Sequence, residues 1–241
     1  MARKPRLHIS GGFYHVMLRG NGGQQIFFSD EDRLYFENLI EEGIKRYQHR
    51  IHAYCWMNNH VHLAIQVANV TLSKIIQNLS FRYTRWINKR ESRIGHLFQG
   101  RYKAILIDAD SYLLELVRYI HLNPVRARLV SAPEDYPWSG HLGYLGKQIK
   151  SWLTVDWVLS QLAKNKGVAR RQYQEFVLDG LGEGYRDEFH RGSSDGRLLG
   201  DDRFVEKVLS QQSRSSGKKI SLGEIIEVVC EERKVTRKAL S

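Results

Sequence analysis

The chain has 241 residues, 37 Lys or Arg against 26 Asp or Glu, giving a formal charge of +11 with histidine neutral; at 42% hydrophobic and 11% aromatic it can bury a sizeable core, which excludes wholesale disorder. No run reaches the ~18 uncharged apolar residues of a membrane span. The first ten residues lack the apolar stretch of a signal peptide, so a soluble cytoplasmic protein is expected.

Residues 11–19 (GGFYHVMLR) are β-branched and aromatic enough for a first strand, closed by the turn Gly20-Asn21-Gly22-Gly23. Ser29 with Asp32 three positions on makes an acidic variant of the capping box. The helix it opens carries Phe36, Leu39, Ile40, Ile44 and Tyr47 at helical spacing. Residues 51–57 and 60–67 read as two strands joined by Asn58-Asn59, since Asn tolerates the positive φ of a tight turn. Leu72, Ile75, Ile76, Leu79, Tyr83, Trp86 and Ile87 mark a second amphipathic helix, and 102–107 a further strand. A third helix over 110–123 stops before Pro124, which disfavours helical geometry in the residue preceding it. Strand, helix, strand, strand, helix, strand, helix implies a ferredoxin-like α+β fold, helices on a mostly antiparallel sheet. Three regions are expected: a main domain over 1–130, a helical and glycine-rich extension or linker over 131–200, and a small helical unit over 201–241. Six glycines between 180 and 200 read as a flexible joint.

Side chains alternate along a strand, so His60, His62, Ala64 and Gln66 share one face and Val61, Leu63, Ile65 and Val67 the other, apolar face. The two histidines stand about 6.6 Å apart along the strand at ~3.3 Å per residue, near enough to converge on one ion. Two nitrogen donors leave positions open for a phosphate oxygen and water. A plain pair of surface histidines is the competing reading. With Cys55 and Cys230 far apart, no cysteine zinc site or disulfide framework is available. On the third helix Leu113, Leu116, Val117 and Ile120 form the core face. Tyr119 sits about 100° around from them, on a stripe with Tyr112 and Asn123. From position 74 to 103 come eight basic residues, Lys74, Arg82, Arg85, Lys89, Arg90, Arg93, Arg101 and Lys103, against one acid, Glu91. Interleaved aromatic residues complete the combination expected where unpaired bases stack and phosphates are neutralised.

The segments YHVMLRGN, WMNNHVHLAIQ, HLFQGRYKAILID and RYIHLNPVRARLV resemble the HUH single-tyrosine transposases, and most their REP-associated branch, over about residues 7–140. The resemblance implies that His60 and His62 ligate Mg2+ or Mn2+, that Asn123 stands at the third-ligand position, and that Tyr119 is the nucleophile. It further implies a DNA endonuclease and strand transferase that forms a 5′-phosphotyrosine on the single-stranded flank of a hairpin or palindrome, as a monomer or homodimer. Two rival readings stand beside it: a metal nuclease in which water attacks and Tyr119 only packs, and a domesticated DNA-binding regulator with a silent site. Near the C-terminus, ISLGEIIEVVCEERKVTRKALS resembles the opening of the helix-turn-helix domain at the end of the bacterial replication initiator. A capped helix is expected to begin at Ser221.

Overall fold

The computed structural model describes residues 6–193 and 196–217. Five strands form one sheet in the order β2-β3-β1-β4-β5: β1 (Phe13–Arg19), β2 (Arg50–Met57), β3 (His60–Gln66), β4 (Lys103–Ile107) and β5 (Leu198–Leu199). The first four pair antiparallel and β5 adds in parallel to β4. With α1 (Asp30–Tyr47) between β1 and β2 and α2 (Leu72–Arg90) between β3 and β4, this is the expected ferredoxin-like arrangement.

The capping box forms as the sequence predicts: Asp32 N–H donates to Ser29 Oγ at 3.4 Å, and the Asp32 carboxylate accepts from Ser29 N–H at 2.9 Å. α1 and α2 cover one face of the sheet, where the Phe36 ring meets Trp56 edge-on at 5.1 Å and Tyr83 at 4.9 Å. The other face is covered as well. There α3 (Ala109–His121) lays Leu113, Leu116, Val117 and Ile120 on Ala53, Cys55, Ala64 and Ile105. The sheet is therefore a buried middle layer, and the histidine face of β3 is interior at His62 instead of wholly solvent-facing.

Beyond α3 follow α4 (Asn123–Arg126), α5 (His141–Leu145), α6 (Asp156–Ser160), α7 (Lys166–Asp179), α8 (Glu188–Arg191) and α9 (Asp202–Gly217). Tyr136, Tyr144, Val158, Tyr173, Val177 and Phe189 are buried in the same core as α3. The first compact unit accordingly runs to Val205, and no break falls at the expected position near 130. The glycine-rich stretch is likewise no free joint: it contains α8, whose Phe189 is fully buried, and β5, which extends the sheet. α9 runs unbroken through the polar residues 210–217. The second unit starts at Glu206, and the helix expected from Ser221 lies outside the described residues. Among the described residues no helix is long and apolar enough to cross a membrane.

Candidate active site

Strand pairing sets the face on which each histidine stands. His62 lies opposite Cys55 and Met17, and His60 opposite Met57 and Arg19, so both point to the α3 side. Their ring centroids are 5.1 Å apart.

Hydrogen bonds fix which nitrogen of each ring carries the proton. The Phe189 carbonyl can only accept, so His15 Nδ1–H donates to it at 2.9 Å, and a neutral His15 keeps a lone pair on Nε2. That lone pair faces His62 Nδ1 at 2.9 Å, which places the His62 proton on Nδ1 and leaves Nε2 unprotonated. At His60 the same logic runs through Asn59, whose amide NH2 donates to the Gly23 carbonyl at 3.2 Å and turns its oxygen toward His60 Nδ1 at 2.7 Å. His60 Nε2 is then also a bare lone pair. Burial holds these rings neutral: His15 is lowered to about 3, His60 to about 4 and His62 well below the usual histidine range, with neighbouring cations and imidazoles adding to the effect. Two neutral imidazoles with oriented Nε2 atoms are the donor set a divalent ion accepts, each backed by a second-layer partner that sets its tautomer. Among the described residues no group of three His, Cys, Asp or Glu side chains is arranged to hold a metal, so the remaining positions would fall to water and substrate oxygens.

α3 places Tyr119 under this pair, its ring centroid 6.3 Å from that of His62. The side chain is only 4% exposed; the hydroxyl does leave the hydrophobic face, as its position on the helix predicts, and meets His190 Nε2 at 2.6 Å. Burial raises the phenol to about 12, opposed by Arg126, whose guanidinium stands 4.0 Å over the ring and donates to the Tyr119 carbonyl. His190 is lowered to about 4 by burial and nearby cations. It stacks on Tyr185 at 4.4 Å. Asn123 donates its amide NH2 to the Tyr119 and Ile120 carbonyls at 3.1 and 3.2 Å, so only its carbonyl oxygen is left for another partner. Tyr112 packs at the margin of the core.

A cavity of about 520 Å3 opens over the site, lined by His60, His62, His190, Tyr185, Arg101 and Lys103. Two of the eight basic residues singled out in the sequence therefore stand at the histidines. Arg82, Arg85 and Lys89 lie on α2, across the sheet, around the stacked rings of Tyr35 and Trp86; Lys74 is on the same helix. Arg90 is tied to Asp32 and Glu91, and Arg93 to Gln24 at 2.6 Å. Sequence reasoning missed His15, Asn59, Arg126 and His190. His15 carried a signal, because it alternates with Met17 on the first strand. His190, in a glycine-rich stretch with no periodicity, carried none.

A ferredoxin-like sheet bears a paired-histidine strand over a helix-borne tyrosine, the arrangement that the sequence resemblance to the HUH single-tyrosine transposases leads one to expect. Residues 8–123 match the family model described as "Transposase IS200 like". Among solved structures it resembles a REP-associated tyrosine transposase bound to a REP hairpin, at 17% identity and TM-score 0.53, over 64% of this chain and 98% of that one. It is also matched to a candidate transposase of Deinococcus radiodurans R1 (14% identity, TM-score 0.35, 48% of this chain and 94% of that one). A third match is the tRNA(His) guanylyltransferase of Saccharomyces cerevisiae (13% identity, TM-score 0.36, 78% and 86%). No curated protein sequence matches the chain.

Proposed function

We propose that the protein is a metal-dependent single-stranded DNA endonuclease and strand transferase, cleaving the flank of a hairpin through a 5′-phosphotyrosine on Tyr119. The observation that carries this reading is the buried phenol of Tyr119 held beside two histidines whose Nε2 lone pairs are free for an ion. His60 and His62 would hold Mg2+ or Mn2+, with Asn123 able to add at most its carbonyl oxygen. A divalent ion bound there supplies Lewis-acid polarisation of the scissile phosphate. The Tyr119 oxygen attacks phosphorus in line, the bond to the 3′ oxygen breaks, and a 3′-hydroxyl strand is released. His190 Nε2 holds the phenolic proton as the P–O bond forms. Arg126 offsets the negative charge that grows on the phenolic oxygen, and Arg101 and Lys103 bind the flanking phosphates. The phosphodiester energy is retained in the phosphotyrosine, so a second strand end can be joined without a nucleotide cofactor. The structural relative bound to a REP hairpin supports a hairpin-bearing substrate for this chain too.

The test is incubation of labelled hairpin DNA carrying a 5′ single-stranded flank with Mn2+, followed by denaturing gel analysis. A covalent protein–DNA band that disappears in Tyr119→Phe is expected. Cleavage without that band would leave a water-using nuclease, and binding without cleavage a regulator.

A further inference from the structure

A second cavity, of about 430 Å3, lies against α2 and adjoins the catalytic one; the two share Leu18 and Arg101. The junction follows from strand lengths. Met17 is the last residue of β1 paired to β4, and past it residues 97–99 take the sheet edge, with Gln99 N–H donating to the Arg19 carbonyl at 2.8 Å. A chain crossing Arg101 therefore passes from the histidine face to the α2 face.

One wall of this cavity is a stripe of α2. Ser73, Gln77, Ser80, Phe81 and Thr84 recur at i, i+4, i+7, i+8 and i+11, uncharged and on one side of the helix. Phe81 presents a ring that is 60% exposed. Across from it stands Tyr102, its ring under the Arg6 guanidinium at 3.5 Å and its hydroxyl 3.1 Å from Ser73 Oγ. Among the described residues the lining holds no carboxylate. Flat aromatic faces, hydroxyl and amide groups that both donate and accept, and cations at the rim match an uncharged planar heterocycle on an anionic backbone.

We infer that this cavity receives one unpaired nucleobase of the same DNA strand whose backbone crosses the histidines. Arg101 contacts the intervening phosphate, and the cavity selects the base beside the cleavage point. This deepens the strand-transferase reading and rests on it. Phe81 supplies the stack, and Gln77 with the α2 hydroxyls reads the base edge.

The test uses the full chain and a hairpin oligonucleotide with a single-stranded 5′ flank, affinity being read by fluorescence anisotropy. Abasic sites are walked along the flank, one per oligonucleotide, for wild type, Phe81→Ala and Phe81→Trp. In the wild type one position, or two adjacent ones, should lose roughly ten-fold in affinity, the size of one base–aromatic stack. That loss should vanish in Phe81→Ala and return in Phe81→Trp. Phe81 is exposed, so its removal spares the core. The coupling between abasic site and Phe81 decides the matter: an identical abasic profile in wild type and Phe81→Ala overturns the inference, even where the Tyr119 adduct still forms. Coupling without any adduct keeps the base cavity and removes the strand-transferase reading.

Discussion

Replacing Tyr119 by Phe removes one hydroxyl and its bond to His190 but leaves the ring packed on Phe189 and under Arg126. The covalent adduct should disappear while hairpin affinity, measured by anisotropy, stays within a few-fold, since most such affinity comes from phosphate contacts. An inactive Tyr112→Phe beside an active Tyr119→Phe would move the nucleophile. His15 gives a sharper test of how the ligands are set. His15→Leu takes away the acceptor that keeps the His62 proton on Nδ1, so Mn2+ binding, titrated by electron paramagnetic resonance, should weaken by about 10-fold or more. His15→Gln can still offer a carbonyl oxygen to that proton and should lose less. Equal losses in the two variants would make His15 a packing residue only. The His60 and His62 pair was legible because strand alternation has a strict period of two. His190 was not, because it reaches Tyr119 across 71 positions from a four-residue helix with no pattern of its own.

At the scale of elements, every strand and helix through α3 was legible, because each has an apolar stripe of the right period or a cap. What the sequence did not reveal is which side of the sheet each helix covers, and this divides the basic residues of α2 and the strand after it. Arg90 belongs to the fold: it pairs with the buried Asp32, whose carboxylate also accepts from the Phe28 and Ser29 N–H groups at the start of α1. Asp32→Ala leaves those donors and Arg90 without their acceptor and should cost about 3 kcal/mol, within the range for breaking a buried charged network. Thermal denaturation checks it; a change under about 1 kcal/mol would mean water replaces the carboxylate. Arg101 and Lys103, at the cavity over His60 and His62, should behave in the opposite way. Arg101→Ala should leave the melting temperature within a degree or two. It should also flatten the salt dependence of single-strand binding by about 0.7 in the slope of log affinity against log salt, the share of a single neutralised phosphate. An unchanged slope would remove Arg101 from the DNA path.

The whole molecule is organised around more buried imidazole than its composition reveals. Residues 131–199 were hard to read because α5 and α6 are five residues each, too short for periodicity. Their role lies in packing, where the Tyr173 hydroxyl bridges His121 Nδ1 at 2.7 Å and His141 Nδ1 at 2.8 Å beneath α3. Burial keeps His15 at about 3, His49, His52 and His141 at about 4, and His62 and His121 well below the usual value. In the unfolded chain each returns to about 6.5. Between about pH 6.5 and 4 the unfolded state therefore binds more protons than the folded state, so stability is complete above that window and falls as pH drops through it. Each histidine protonated only on unfolding contributes about 1.4 kcal/mol per pH unit to the slope, and several act together. The melting temperature should consequently drop steeply from pH 6.5 toward 4.5, with a slope corresponding to more than one proton. His121→Met removes one imidazole from beside Tyr173 and should reduce that slope by about one proton, whatever it does to stability at pH 8. A melting temperature flat from pH 7 to 5 would mean that water reaches these rings in the native state and that the second layer beneath α3 is looser than the buried Tyr173 bridge implies.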